Sequence, residues 1–266
     1  YISPAALRRM LPRSVVPALV LAALAGLVFP VCECGIIPVA RRLLEKGTPL
    51  PVAITFMLAV PSINPVVLAS TGAAFQSAEW VVLRASLAFI IALGTGLLLH
   101  RLQLGNQVLK VVEHRHPDCC CGHHPGGALK RPFEVLAHAH ADFLQVTRYL
   151  VAGAFLAALF QTVLPRDILL AVGKNPVAAS AALMSLAYGI SLCSEADAFV
   201  AATFLDFFPG GSILAFLILG PMLDLKNTFL LCAVFRKGLV LLLAAVVVLS
   251  VLLASLAVNL FFEEVL

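Results

Sequence analysis

Two short polar stretches interrupt an otherwise apolar chain, and each combines cysteine with carboxylate side chains. Their members are Cys32, Glu33 and Cys34 in the first stretch, and Cys193, Glu195 and Asp197 in the second. Thiolate sulfur selects soft ions such as Cu(I) and Zn(II), and trivalent arsenic is thiophilic too. Carboxylates in apolar surroundings are costly when unpaired and can carry protons. These residue types predict a site for a thiophilic metal or metalloid ion.

Each polar stretch is followed by a proline-containing segment at a nearly constant separation. Pro61 and Pro221 lie 160 positions apart, as do Asn64 and Asp224. The offset between Cys34 and Cys193 is 159. The pattern predicts one structural unit used twice, with Asn64 and Asp224 as further candidate substrate-binding residues. The alternative is that these two only satisfy backbone groups freed by the prolines.

The composition indicates a lipid environment. Hydrophobic residues make up 61% of the chain and charged residues 12%, with a mean hydropathy of +1.03, whereas about a quarter of the residues in soluble domains are charged. The net charge of +4 is small, and the basic residues cluster in loops, so orientation in the membrane explains them better than nucleic acid does. No phosphate-binding glycine-rich loop is visible, which argues against ATP-driven pumping by this chain, and we do not expect an enzyme.

Long apolar segments predict transmembrane helices, and prolines predict where some of them break. The segments are 15–31, 51–75, 85–99, 149–164, 176–193, 211–235 and 238–262, with shorter pieces at 35–44 and 198–208. Pro61 and Pro65 each remove a backbone donor and push the preceding residue out of helical geometry, so we expect a break in 51–75. Arg84 is expected to reach the membrane interface by extending its side chain.

The distribution of basic residues predicts that the two copies cross the membrane in opposite directions. If the arginines within 8–13 are cytoplasmic and the piece 35–44 returns to the same side, the basic residues at 41, 42 and 46 and the loop 101–147 are cytoplasmic too. Arg166 and Lys174 are then modest violations of the positive-inside rule. Inverted repeats with discontinuous helices are typical of secondary transporters. We therefore predict an all-α membrane protein of the cytoplasmic membrane, a polytopic bundle of two inverted repeats with discontinuous or re-entrant helices.

The predicted domains are a first membrane repeat (1–100), a cytoplasmic His/Cys-rich loop (101–147) and a second membrane repeat (148–266). Overlaying the repeats leaves 149–164 without a corresponding segment, so we expect that a first helix of the first repeat is missing.

Cysteine and carboxylate residues also have structural interpretations. Cys232 is predicted to be a packing residue, Glu195 or Asp197 could cap a helix near Ala196, and Lys226 could pair with Asp224. Cys193 and Asp197, four positions apart, would share a helix face.

The central loop carries a second set of metal-ligating residues. Its candidate ligands are His114, His116, Cys119, Cys120, Cys121, His123 and His124. Thiolate and imidazole donors suit zinc or copper, but the spacing is not that of a zinc finger, so we predict a mobile capture arm. The alternatives are a solvated loop and a lipidated cysteine cluster.

The motifs Cys-Glu-Cys-Gly at 32–35, Lys-Gly-Thr-Pro at 46–49, Pro-x-x-Asn-Pro at 61–65 and Ser-Leu-Cys-Ser at 191–194 resemble those of a family of predicted permeases that includes trivalent organoarsenical efflux permeases. The loop further resembles a branch of copper or zinc efflux transporters. The resemblance spans nearly the whole chain. It implies a multi-pass exporter of the cytoplasmic membrane that binds substrate through Cys32, Cys34 and Cys193.

The sequence thus predicts a permease that exports a thiophilic ion by alternating access. No resident cofactor is expected, and Zn, Cu or As(III) would be bound as cargo. Membrane lipid and the ion are the expected partners, nucleic acid is not, and a homodimer is left open. The alternatives are a permease for a small organic solute and a membrane protein for thiol–disulfide exchange.

Overall fold

A computed structural model describes residues 14–29, 31–103 and 175–261, which fold as helices joined by turns. Three predictions lie outside these ranges: the helix at 149–164, the missing first helix, and the His/Cys-rich loop with its seven candidate ligands. The basic N-terminal residues on which the predicted orientation depends also lie outside them.

The first half contains one helix, a second short helix, two consecutive helices that form one interrupted span, and a long helix. These are α1 (Val15–Leu24, extended by a 3-10 turn at Ala25–Leu27), α2 (Glu33–Glu45), α3 (Leu50–Ile63), α4 (Pro65–Phe75) and α5 (Ala78–Arg101). The predicted break in 51–75 is confirmed at Asn64. The last helix begins seven residues earlier than predicted, where the Ser77 hydroxyl accepts a hydrogen bond from the amide of Glu79.

The second half repeats this order of elements. It consists of α6 (Pro176–Ile190), α7 (Asp197–Ala202), α8 (Gly210–Met222), α9 (Leu225–Val234) and α10 (Lys237–Phe261). The pairs α3/α4 and α8/α9 are each interrupted at the same place in the repeat, at Asn64 and Asp224.

The interruptions are built from side chains that cap the following helix. Asn64 and Asp224 both have extended backbones, with ψ of 149° and 172°. The Asn64 side chain accepts a hydrogen bond from the amide of Val67, and Asp224 accepts one from the amide of Asn227. Pro65 needs no such partner because it has no amide hydrogen. Both residues therefore satisfy backbone amides at the two breaks.

The broken helices occupy the centre of the bundle and the unbroken helices its periphery. Four described segments are long and apolar enough to cross a membrane: Leu50–Phe75, Ala78–Arg101, Gly210–Val234 and Lys237–Leu260. The two broken spans are mostly buried, whereas only about a third of each unbroken span is buried. Backbone groups at a break need protein partners because lipid supplies none. The protein is an all-α, multi-pass membrane protein.

The two halves pack against each other in a reciprocal way. Helix α2 of the first half contacts α9, and α7 of the second half contacts α4. Each short helix therefore lies against the later part of the broken span in the other half. The earlier parts, α3 and α8, also pack together. The residues at the starts of the short helices consequently lie at the contact between the halves.

Candidate substrate site at the contact between the halves

The first polar stretch places a buried carboxylate against a buried ammonium group of the second half. Glu33 is the first residue of α2, and its Oε1 lies 2.9 Å from Nζ of Lys226 in the first turn of α9. The same Nζ lies 3.5 Å from Oδ2 of Asp224. The predicted pair between Lys226 and Asp224 was therefore incomplete, because Glu33 from the other half is the nearer partner.

The two exposed cysteines flank a second contact at the same carboxylate. The amide of Ser194 donates to Oε2 of Glu33 at 3.4 Å. Cys32 directly precedes Glu33, Cys193 directly precedes Ser194, and both thiols are free and exposed. The Ser194–Glu33 contact thus joins the two residues that directly follow these cysteines. We call the group Cys32, Glu33, Cys193, Asp224 and Lys226 the thiol–carboxylate junction.

The remaining members of the second polar stretch do not all join this junction. Cys193 and Asp197 do not share a helix face, because 194–196 form a turn and α7 begins only at Asp197. Cys193 is exposed while Asp197 is buried. The residue before α7 is Ala196, which makes no side-chain hydrogen bond, and the carboxylate of Asp197 belongs to the first residue of the helix itself. Glu195 lies half-buried in the turn, within electrostatic range of Cys193.

Asp197 forms a second ion pair between the halves. Its Oδ1 and Oδ2 accept hydrogen bonds from Nη1 and Nη2 of Arg84 at 3.0 and 2.7 Å. Arg84 is fully buried, so the prediction that it extends to the membrane interface is wrong. Because α5 begins at Ala78, Arg84 lies almost two turns inside the helix, and there the carboxylate from α7 accepts from both of its terminal nitrogens. Planar, two-point contacts of this kind are the strong form of an ion pair.

Asn64 is connected to this second pair rather than to the cysteines. Arg84 Nη1 also donates to the hydroxyl of Thr71 at 2.8 Å, and that hydroxyl donates to the carbonyl of Val67. The amide of Val67 in turn donates to Asn64. The two members of the predicted Asn64 and Asp224 pair therefore belong to different ion-pair networks.

Both networks contain a carboxylate at the start of a short helix. Glu33 and Asp197 are each the first residue of a short helix, where the helix dipole stabilises a negative charge. Each reaches a cation of the opposite half, Lys226 or Arg84. The Arg84 pair is sealed from solvent, whereas the Lys226 pair adjoins exposed thiols. Of these two ion pairs, only the Lys226 pair can therefore meet an incoming solute.

Metal-ligating groups are only partly assembled. Within residues 14–29, 31–103 and 175–261, no three His, Cys, Asp or Glu side chains are close enough together to hold a metal ion. Cys34 is the second residue of α2, one position beyond Glu33. Lys226 Nζ contacts the carboxylate oxygens of Glu33 and Asp224 that an incoming metal ion could use.

Arg84 and Lys226 were not predicted as site residues. Both are basic residues within apolar stretches, and a basic residue inside a membrane segment normally has a buried partner. That signal was present in the sequence. Their partners, at separations of 113 and 193 residues, were not recognisable from it.

The bundle with its broken central helices and its junction between two halves defines a multi-pass membrane protein of the permease class. A model of a family described as predicted permeases matches residues 1–260. The chain is 44% identical to the UPF0718 protein YcgR of Bacillus subtilis over 261 residues, which cover 97% of this chain and 87% of the relative.

A second relative, from Streptococcus mutans, is 37% identical over 242 residues, covering 91% of this chain and 79% of that protein. Its name describes it as a candidate subunit of a two-component membrane permease complex. No solved structure matches the chain. The chain belongs to the predicted permease family, and transport across a membrane is the activity that this membership supports.

Proposed function

We propose that the protein is a permease of the cytoplasmic membrane that exports a thiophilic metal or metalloid ion, of the copper, zinc or trivalent arsenic type, by alternating access. Cys32, Cys34 and Cys193 supply the sulfur ligands. The observation that carries this proposal is the Ser194–Glu33 contact, which sets an exposed thiol from each half beside one buried carboxylate. Soft sulfur ligands favour ions of this class over Mg²⁺ or Ca²⁺.

The repeated order of helices supports alternating access. The two halves meet at broken helices, and ligands of secondary transporters commonly bind between such helices near the bilayer centre. Rocking of one half against the other would expose the thiol–carboxylate junction to each side of the membrane in turn. In this proposal the halves are inverted with respect to each other, and residues 101–147 are cytoplasmic.

Serine substitution of Cys32, Cys34 and Cys193 together is expected to abolish uptake of the ion into everted membrane vesicles, because a hydroxyl is a poor ligand for soft ions. Uptake of ⁶⁵Zn, of ⁶⁴Cu(I) and of trivalent arsenic would be measured separately. Cys232→Ser is the matched control, since Cys232 lies partly buried in α9, six residues beyond Lys226. Uptake that survives the triple substitution would contradict the proposal.

The His/Cys-rich loop is proposed to collect the ion on the cytoplasmic side. Deleting residues 117–125 is then expected to raise the ion concentration needed for half-maximal uptake while leaving the maximal rate nearly unchanged, because the sulfur ligands between the halves remain. Unchanged half-saturation would favour the alternative of a permease for a small organic solute. A Cys32–Cys34 disulfide detected by thiol titration in membranes would favour the alternative of thiol–disulfide exchange.

The name of the Streptococcus mutans relative supports a further element of the proposal, that this chain works with a second, different subunit. A homodimer is the competing arrangement. The masses of the separate subunits in the complex extracted from membranes distinguish the two, because a homodimer contains this chain alone.

A further inference from the structure

The buried charges of the described residues do not balance. The buried charged side chains are Glu33, Asp197 and Asp224 on the acidic side, and Arg84 and Lys226 on the basic side. Three negative charges against two positive charges leave one excess negative charge. Arg84 and Asp197 neutralise each other through two hydrogen bonds. The excess charge is therefore located at Glu33, Lys226 and Asp224, beside the exposed cysteines.

The same place contains buried hydrogen-bond acceptors without partners among the described residues. Oδ2 of Asp224 is buried and has no hydrogen bond, although it lies 3.5 Å from Nζ of Lys226. The hydroxyl of Ser194 is also buried and without a partner, and the amide of this residue contacts Glu33. Buried oxygens that make no hydrogen bond are costly, and a metal ion can bind such oxygens directly, whereas the ammonium group of Lys226 stays 3.5 Å from Oδ2 of Asp224.

We propose that the cargo is positively charged and that the ammonium group of Lys226 competes with it for the same carboxylates, an inference that rests on the proposed function. In the conformation described, the ammonium group of Lys226 occupies the negative site formed by Glu33 and Asp224. A cargo cation takes the place of the ammonium group on the carboxylates of Glu33 and Asp224, and the thiols of Cys32 and Cys193 each release a proton to water as their sulfur atoms bind the ion. Because Lys226 joins α9 to α2 of the opposite half, this displacement also releases one of the two ion pairs that connect the described residues of the two halves.

A neutral thiophilic compound would not be subject to this competition. Coulomb attraction acts on the charge of the ligand, so two carboxylates favour a divalent cation and leave a neutral trivalent arsenical held by its sulfur bonds alone. Changing the charge at residue 226 should therefore alter the affinity for the cation and not the affinity for the neutral compound. The ratio of the two affinities reports the role of Lys226 separately from any general damage to the thiol site.

The test measures binding of Cd²⁺ and of neutral phenylarsine oxide to the purified full-length chain in which Cys119, Cys120 and Cys121 are replaced by serine, so that the thiols of the central loop bind neither probe. Lys226→Met removes the competing charge, and we expect Cd²⁺ to bind at least about tenfold more tightly, with phenylarsine oxide unchanged within about twofold. Lys226→Arg keeps the charge and should not show the gain in Cd²⁺ affinity that Lys226→Met shows. Lys237→Met is the matched control, because it removes an exposed cation at the start of α10; neither affinity should change.

A second variant tests the same effect of charge in case the Lys226→Met protein does not fold. Asp224→Asn removes one negative charge but preserves the cap of α9, since asparagine caps helices as well as aspartate does and Asn64 caps α4 in the first half. It should weaken Cd²⁺ binding at least about tenfold and leave phenylarsine oxide binding unchanged.

Equal shifts for both probes, or no gain in Cd²⁺ affinity in a folded Lys226→Met protein, would overturn the role of Lys226. If Lys226 lost its role in this way but the double substitution Cys32→Ser/Cys193→Ser abolished binding of both probes, the proposed thiol site would stand. If that double variant bound both probes normally, the proposed function itself would fail, whatever the result at Lys226.

Discussion

Replacing Arg84 by methionine is expected to lower the free energy of unfolding by about 3–5 kcal/mol, the usual cost of removing one partner from a buried ion pair. The substitution keeps the volume of the aliphatic stem but leaves Asp197 buried without its cation. It also removes the donor to Thr71. Reversible unfolding of the purified protein in mixed detergent micelles, followed by the loss of helical circular dichroism, measures the effect.

Two further variants separate the missing charge from the missing side chain. Arg84→Met/Asp197→Leu removes both charges and is expected to regain most of the lost stability, because the unpaired carboxylate is the main cost. Arg41→Met removes a cation whose ion pair with Glu45 is partly exposed and should cost less than about 1 kcal/mol. An Arg84→Met protein no less stable than the Arg41→Met protein would show that the buried pair does not stabilise the contact between the halves.

Gly96→Ala is expected to lower the free energy of unfolding by about 1–3 kcal/mol, the range typical of overpacking. A methyl group at this position would overlap the hydroxyl of Thr55 and would lie 3.0 Å from Leu19 and 3.3 Å from the carbonyl of Pro51. Small residues let membrane helices approach closely, and Gly96 brings α5 against α3 and α1. The same unfolding measurement checks this prediction.

Gly94 provides a matched control two residues away on α5. A methyl group there would meet no atom within 4 Å, so Gly94→Ala should leave the stability unchanged or raise it by up to about 1 kcal/mol through better helix propensity. Similar losses for the two substitutions would mean that the helix backbone, and not the close approach at Gly96, is sensitive to the added methyl group.

Much of the architecture was predictable because its signals are local. Apolar length predicted the spans, and the prolines at 61 and 65 predicted the break that the structure places at Asn64. The constant offset predicted that the second half would repeat the order of the first. These features depend on the preferences of neighbouring residues and on periodicity, both of which can be read along one chain.

The partners of the buried charges were not predictable in the same way. Arg84 looked like a residue near a helix end, and its burial became evident only when α7 supplied Asp197 from 113 positions away. Lys226 looked like the neighbour of Asp224, and only the packing of α2 against α9 brought Glu33 to 2.9 Å. Cys193 and Asp197 looked like members of one helix, but the turn at 194–196 separates them.

The amino-acid sequence by itself determined that this chain resides in a membrane, that it uses one helical unit twice, and that cysteine and carboxylate interrupt that unit. Hydrophobic composition and proline chemistry are sufficient for those conclusions. Only the tertiary structure decided which carboxylate faces which cation, and that Cys32 and Cys193 flank the same buried carboxylate. The reason is physical: a charge buried in a membrane protein must find its partner in space, and that partner can lie anywhere in the sequence.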